Sequence, residues 1–307
     1  EKMGEASPLL RDDITLQPNT PGHYELVART QRTEVVDSVS SMIETLWDQS
    51  VPFNNYCPFL PDSKIHAAAG CVAIAAAQML YYLHYNIGVP EKAPSEAYCY
   101  GNINAPNKDY NWDQTNFTST IWDEMGKDWI DSNAINAAPL IAHIGKLVGI
   151  DYNIQSGGKS AELKSKVFAE YGVSCIYEKY NEEKVKNSLL NEMPVILSAF
   201  TKDPENPSKE VGHTFITDRY KRFRTVTTDH YQWVYDVSDD TLIEPVPDKQ
   251  EISYSSPYIG MIGMNWGEGL EFENEWFCLT GDWIPELYPN INYNINRNMI
   301  YGFCPKN

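Results

Sequence analysis

Apolar residues recur at helical spacing in the first half of the chain. Between Cys71 and Tyr85 (CVAIAAAQMLYYLHY) they follow the repeat of an α-helix, and the alanines allow close packing against neighbours. Asn133–Val148 has a second helical pattern closed by a glycine, and Ser40–Leu46 reads as a short amphipathic turn. We therefore predict that the region from about Ser40 to residue 149 is mainly helical.

The second half of the chain contains shorter apolar runs, typical of buried strands. The predicted strands are Pro194–Phe200, Val211–Tyr220, Ile259–Trp266 and Glu275–Thr280. A helix-rich half followed by a strand-rich half predicts an α+β fold with two lobes, over about residues 41–150 and about residues 151–307. Residues 1–40 are polar and interrupted by proline and glycine, which predicts an N-terminal arm outside the core.

Composition and charge exclude several kinds of partner. The chain has 307 residues and a formal net charge of −18, and so acidic a protein repels the phosphates of nucleic acids. No apolar run approaches the ~20 residues that cross a bilayer. The six cysteines are scattered without metal-binding spacing, so we expect no metal and no cofactor. For the acidic cluster of Asp236, Asp239 and Asp240, a solvated turn is the simpler interpretation and a calcium site the alternative.

Cys71 lies where a loop becomes the predicted buried helix. A helix N-terminus or a cationic histidine lowers the pKa of a thiol, so that thiolate exists near neutral pH. Gly70 removes a side chain beside the sulfur and lets a substrate carbonyl approach. The alternative is a buried structural cysteine, and the local sequence does not decide between the two.

His213 has the sequence context of a catalytic base. A cysteine nucleophile needs an imidazole that pairs with it and later protonates the leaving amine. Gly212 leaves one flank of His213 open, and the strand pattern that follows predicts a rigid mount for the ring. The spacing of about 140 residues from Cys71 agrees with papain-type enzymes.

Two further groups are needed around this pair. Asn265 is predicted to accept a hydrogen bond from the second ring nitrogen of His213, with Trp266 shielding that bond from water. The oxyanion of the tetrahedral intermediate needs preset donors. We assign these to the Cys71 backbone N–H and to Gln49, although a glutamine in a loop is more often simply solvated.

These segments together resemble the streptopain family of bacterial cysteine peptidases, a papain-like group. The resemblance runs from about Trp47 to Phe277, and the papain signature CGSCW is absent. It rests on these stretches: LWDQSVPFNNYCP, AAAGCVAIAAAQMLYYLHY, the NWD of residues 111–113, LIAHIGKLVGIDYNIQSGGKSA, MPVILSAF, VGHTFITDRY, and NWG followed by WFCL.

The resemblance implies a papain-like two-lobe fold with a cleft between the lobes. It also implies a broadly tolerant endopeptidase that prefers a hydrophobic residue second before the scissile bond. The implied roles are nucleophile for Cys71, base for His213, oxyanion donor for Gln49, wall beside the histidine for Trp266, and substrate-backbone contact for Ser156 and Gly157. Gly212 is added to the substrate-binding residues because of its open flank.

Exported zymogens are typical of that family. The resemblance therefore implies a secreted or cell-envelope location in a bacterium and protein or peptide substrates. It also implies that residues 1–40 are the remnant of an inhibitory propeptide.

Three departures from the family pattern bear on function. Glu268 replaces the second tryptophan after NWG, Arg219 replaces a glycine, and residues from about Thr225 to Ser256 look inserted. Glu268 and the insertion motivate one alternative, a catalytically silent surface-binding protein on the same scaffold. Acyl transfer by the same residues is another alternative that the sequence leaves open.

Overall fold

A computed structural model describes residues 22–61, 63–88, 97–99, 113–115, 125–128, 130–235, 249–269, 275–286 and 288–306. The Asp236–Asp240 cluster, Asn111 and Trp112 lie outside these residues. The strands are β1 (Gly22–Val39), β2 (Ala97–Cys99), β3 (Asp113–Thr115), β4 (Val173–Lys179), β5 (Val195–Lys202), β6 (Glu210–Tyr235), β7 (Lys249–Ser255), β8 (Ile259–Asn265), β9 (Trp276–Cys278) and β10 (Ile295–Pro305). The α-helices are α1 (Cys71–Ile87), α2 (Ala138–Val148) and α3 (Glu182–Leu190).

The chain divides into two compact units. Among the described residues, one unit contains those between 38 and 220 and between 261 and 306, and the other contains residues 22–37, 221–235 and 249–260. The first is called the main unit and the second the β-arm unit below. The predicted lobe boundary near residue 150 stays a prediction.

The main unit is built on a sheet in the strand order β4-β10-β5-β6-β8-β9, and the pairs β4–β10, β10–β5, β5–β6 and β8–β9 are antiparallel. Successive side chains of β5 point to opposite faces. Ile196 joins the apolar cluster that contains α1, whereas Val195 and Leu197 join a second cluster. Both faces of β5 are therefore buried, which explains its continuous apolar run. The predicted α+β class is confirmed.

Helix α1 is a core helix. Its side chains are buried from Cys71 to Leu83, as expected for a helix that is apolar on all faces. It extends two residues beyond the predicted end and stops at Gly88, which adopts a left-handed conformation. None of the helices in the described part of the chain is long and apolar enough to cross a membrane.

The predicted helical turn at Ser40–Leu46 is wrong, because residues 40–48 are irregular. Many of their polar groups bond to side chains from other elements. Ser41 Oγ and the Ile43 N–H both donate to the buried carboxylate of Asp218, at 2.5 and 3.0 Å. Asp218 thus anchors the chain segment that leads toward Gln49.

Helix α3 and strands β4, β7 and β10 of the second half had no counterpart in the prediction, and α3 and β10 show why. Helix α3 is short and charged, and it buries only Val185 and Leu189. Strand β10 lies between β4 and β5 in the sheet, although its sequence, INRNMIYGFCP, alternates poorly. Both are stabilised by partners that are distant in the chain, which short-range patterns do not reveal.

The β-arm unit combines two segments that are far apart in the chain. Strands β1 and β7 both pair with β6, and the antiparallel register with β7 runs from Val226–Ser255 to Gln232–Lys249. Arg29 in β1 makes two hydrogen bonds to Asp229 in β6, at 2.6 and 2.9 Å. The described part of the predicted arm and the predicted 225–256 insertion therefore belong to one unit.

Candidate active site

Cys71 is the first residue of α1, and its side chain is 8% exposed. The first N–H groups of a helix have no partner within the helix and create a positive local potential. Gly70 enters the helix with φ of +89°, and a Cβ at this position would lie 2.8 Å from Ile150 Cδ1. Glycine is therefore needed here both for its conformation and for its small size.

The Cys71 thiol interacts with the His213 imidazole through charge and hydrogen bonding, and the Thr214 backbone N–H favours the thiolate as well. Burial by itself would raise the pKa of Cys71, but the charge and hydrogen bond of His213 outweigh it, and the pKa lies below its usual range. Burial would conversely lower the pKa of His213, but the Cys71 thiolate raises it above its usual range. This contact favours a thiolate–imidazolium pair.

The other side of the His213 ring is held by a backbone group. Nε2 donates to the carbonyl oxygen of Trp266 over 2.8 Å, which leaves Nδ1 to face the sulfur. The rings of Phe215, Trp266 and Tyr293 lie with their centres 5.7–5.9 Å from the imidazole. Trp266 therefore both holds and shields His213.

The predicted hydrogen bond from His213 to Asn265 is wrong. The Asn265 amide bonds instead to Gln78, to the Thr45 carbonyl at 3.1 Å and to the Gly267 N–H at 3.1 Å. Asn265 points away from the imidazole because neighbouring side chains on a strand alternate. The carbonyl oxygen of Trp266 accepts the hydrogen bond from His213 in its place. Asn265 braces the turn that presents Trp266.

Gln78 is a site residue that sequence reasoning missed. Its Oε1 accepts from Thr45 Oγ1 at 3.1 Å and from the Trp47 N–H at 3.3 Å, and its Nε2 donates to Asn265 Oδ1 at 3.2 Å. It thereby links α1 to the segment before Gln49 and to the end of β8. The available signal was one amide within an otherwise apolar helix, since buried polar groups need partners.

Gln49 lies at the site, with its side-chain amide engaged by an acid. Gln49 Nε2 donates to Glu268 Oε1 over 2.7 Å. The charge of Glu268 adds to the raised pKa of His213 and opposes part of the lowering that His213 causes in the pKa of Cys71. The residue that departs from the family pattern is therefore part of the site.

The segment of Ser156 and Gly157 lies beside the start of α1. The Ser156 carbonyl oxygen would be 3.6 Å from a Cβ on Gly70. Ser156 Oγ is used internally, because it accepts from the Asn153 N–H and donates to the Asn153 carbonyl. A Cβ on Gly157 would meet nothing within 4 Å, so open space adjoins this residue.

The predicted open flank at Gly212 is wrong. A Cβ at this position would lie 2.8 Å from the ring of Phe200, which is its partner in the β5–β6 register. Gly212 therefore makes room for an aromatic ring of the protein itself, and its flank offers no space to a substrate.

Comparisons with known proteins found a matching family and similar solved structures. A model of the peptidase C10 family matches residues 47–236. The structure of active wild-type interpain A cysteine protease from Prevotella intermedia is similar, with a TM-score of 0.58 and 20% identity over 86% of this chain and 96% of that one. A prointerpain A fragment from the same organism, carrying a cysteine-to-alanine mutation, has a TM-score of 0.54 and 17% identity over 88% of this chain and 76% of that one.

A search of the curated proteins found no match. At such low identities the two structures establish a shared fold, and the family model covers more than half of the chain. The resemblance found in the sequence is thereby confirmed, and the chain, a cysteine peptidase, belongs to the peptidase C10 family.

Proposed function

We propose that this chain is a secreted cysteine endopeptidase, made as a zymogen, that cleaves proteins through a Cys71–His213 dyad. The observation that carries the proposal is the mutual electrostatic interaction of the Cys71 thiol, at the start of a buried helix, with the His213 imidazole. A pKa lowered at the thiol and raised at the imidazole favours the charged pair that cysteine catalysis uses.

In the first half of the reaction, the Cys71 thiolate attacks the scissile carbonyl carbon. The carbonyl π electrons move to oxygen, and this oxyanion accepts from the Cys71 backbone N–H and from Gln49 Nε2. The C–N bond then breaks as His213 gives its proton to the leaving amine. The products are a thioester on Cys71, a free amine and a neutral imidazole.

In the second half, water replaces the leaving amine. Neutral His213 takes a proton from the water as its oxygen attacks the thioester carbonyl. The C–S bond breaks, the carboxylic acid product leaves, and the thiolate–imidazolium pair is restored. Because Trp266 holds Nε2 of the ring, Nδ1 serves as acid and base in both halves.

Substrate binding is proposed at the segment of Ser156 and Gly157. Its support is the short distance between the Ser156 carbonyl and Gly70 together with the open space at Gly157. The substrate backbone would run along this segment, with a hydrophobic residue second before the scissile bond. Two lobes flanking a cleft, and N-terminal residues that act as an inhibitory propeptide before activation, are parts of the same proposal.

The test is labelling and proteolysis with matched cysteine variants. Wild-type protein should react with iodoacetamide at Cys71 at neutral pH and should digest denatured casein, whereas Cys71→Ser should do neither. Cys278→Ser is the control, since Cys278 is an exposed free thiol outside the site, and it should retain full activity. An inert wild-type protein with an unreactive Cys71, after removal of any N-terminal segment, would refute the proposal.

Zymogen processing is tested by intact-mass measurement over time. Wild-type protein should shorten at its N-terminus, and Cys71→Ser should stay at full length. Addition of active wild-type protein should then trim the Cys71→Ser chain, because the variant remains a substrate. Equal trimming of both variants without added enzyme would contradict self-activation.

One observation favours the catalytically silent alternative. Glu268 bonds to Gln49, the residue that would otherwise stabilise the oxyanion. A silent binding protein would capture its partner equally well as wild type and as Cys71→Ser, and would hydrolyse no peptide. Peptide hydrolysis that depends on Cys71 excludes this alternative.

A further inference from the structure

Glu268 occupies a position that the proposed mechanism does not use. It follows Trp266 and Gly267 in the turn after β8, and its Oε1 lies 2.7 Å from Gln49 Nε2. A carboxylate accepting from an amide is a strong, charge-assisted hydrogen bond. In this conformation one of the two N–H groups of Gln49 Nε2 is therefore already occupied.

Several titratable groups face this carboxylate. His213 and Cys71 interact with it electrostatically, and so do Asp48 and Tyr293. The Asp48 carboxylate lies close to the same turn, because a Cβ on Gly269 would be 3.4 Å from its Oδ2. His213 is the cation among these partners, so Glu268 lies beside the imidazolium and near a second acid.

The position of Glu268 relative to a substrate follows from the chemistry of the tetrahedral intermediate. Its central carbon carries the Cys71 sulfur, the oxyanion, the acyl chain and the leaving nitrogen. The oxyanion lies at Gln49, and the leaving nitrogen lies at His213, which protonates it. A group that touches Gln49 and acts on His213 therefore faces the leaving residue and not the acyl chain.

We propose that Glu268 is a specificity-determining residue that selects lysine or arginine directly after the scissile bond. The inference rests on the proposed function. The cationic side chain takes the Glu268 carboxylate away from Gln49, and the freed amide then serves as oxyanion donor. A neutral residue at this position leaves the Gln49–Glu268 bond to compete with the substrate carbonyl, and an acidic residue is repelled by Glu268 and Asp48.

The experiment uses four peptides that differ only in the residue after the scissile bond, which is Lys, Arg, Met or Glu. Wild type should cleave the Lys and Arg peptides about tenfold more efficiently in kcat/KM than the Met peptide, since a partly buried ion pair replaces a neutral contact. The Glu peptide should be the poorest substrate. In Glu268→Gln the Lys-to-Met ratio should fall to within about twofold.

Charge reversal and a remote variant complete the design. Glu268→Lys should reverse the order and favour the Glu peptide, which a merely structural role would not produce. Glu183→Gln changes the net charge as much as Glu268→Gln does, but on an exposed helix surface, and it should keep the wild-type ratios. Thermal unfolding of each variant verifies that the chains are folded.

The pH profile is a second readout. Because Glu268 raises the pKa of both Cys71 and His213, Glu268→Gln should move the acidic and the alkaline limbs of kcat/KM to lower pH. Equal cleavage of the Lys and Met peptides by active wild type would overturn this inference alone. A wild type that cleaves none of the peptides and leaves Cys71 unlabelled would overturn the proposed function and the inference with it.

Discussion

Gln78 and Asn265 hold each other through paired side-chain amides inside the main unit. Gln78 Nε2 donates to Asn265 Oδ1 over 3.2 Å, and Asn265 Nδ2 donates back to Gln78 Oε1 over 3.4 Å. Asn265 directly precedes Trp266, whose carbonyl holds His213. The nucleophile helix and the support of the base are thus joined through a buried polar link.

Gln78→Leu should therefore destabilise the protein and slow catalysis together. The substitution leaves the Thr45 hydroxyl, the Trp47 N–H and the Asn265 amide with unmet hydrogen bonds, and we expect a loss of about 3 kcal/mol in the free energy of unfolding. Urea denaturation measures this loss. Asn86→Ala is the control, because Asn86 makes its bond to Tyr82 at the far end of the same helix. Similar unfolding midpoints for the two variants would contradict the prediction.

Asn265→Ala tests whether Asn265 supports the turn that carries Trp266 or orients the His213 ring. Because the Trp266 carbonyl and not Asn265 accepts from His213, the pH dependence of Cys71 alkylation should keep its midpoint within about 0.3 pH units, a difference of about twofold in equilibrium. The melting temperature should fall. A midpoint that rises by a full unit would mean that Asn265 orients the imidazole after all.

Alkylation rates should reveal the thiolate–imidazolium pair. Burial raises the pKa of Cys57 to about 12 and that of Cys175 to about 11, whereas the pKa of Cys71 is lowered. The usual pKa of a free thiol is about 8.5. At roughly pH 6 to 7, below this value, iodoacetamide should therefore modify Cys71 first. In His213→Ala the thiol pKa rises, and the rate at this pH should drop at least about tenfold, the factor for one pKa unit. Peptide mapping by mass spectrometry measures each site.

The same pair sets the pH profile of hydrolysis. Activity should be lost as pH falls through the lowered pKa of Cys71, because the thiolate is protonated there. It should also be lost as pH rises through the raised pKa of His213, because the leaving amine then lacks a proton donor. Rates of peptide cleavage across pH 4 to 11, a range of about seven units, measure the two limbs. A profile that continues to rise at alkaline pH would contradict a protonated His213.

Gly70→Ala should lower the free energy of unfolding, measured by urea denaturation, more than Gly149→Ala does at another left-handed position. Both Gly70 and Gly149 have positive φ, but only at Gly70 would a Cβ approach another side chain, 2.8 Å from Ile150 Cδ1. Gly149→Ala should cost about 1 kcal/mol through conformation alone, and Gly70→Ala should cost more. Ile150→Val removes the clashing methyl, so the double variant should recover part of the loss. No recovery would mean that the conformation alone requires Gly70.

The sequence by itself determined the local parts of the site. The helix that starts at Cys71 and the strand that carries His213 follow from apolar patterns that depend on short-range geometry. The α+β class follows from the same patterns, whereas the family and the role of Gln49 were implied by the resemblance of several sequence motifs. The secondary structure of the residues next to Cys71 and His213 in the sequence depends little on the rest of the chain.

Only the tertiary structure decided how these parts bond to one another. Whether Asn265 or the Trp266 carbonyl accepts from His213 depends on the direction of each side chain in β8, and the space beside Gly212 depends on Phe200 in β5. The bond between Gln49 and Glu268 joins residues more than two hundred positions apart. Such contacts arise from packing between distant segments, and a one-dimensional pattern of polar and apolar residues does not specify them.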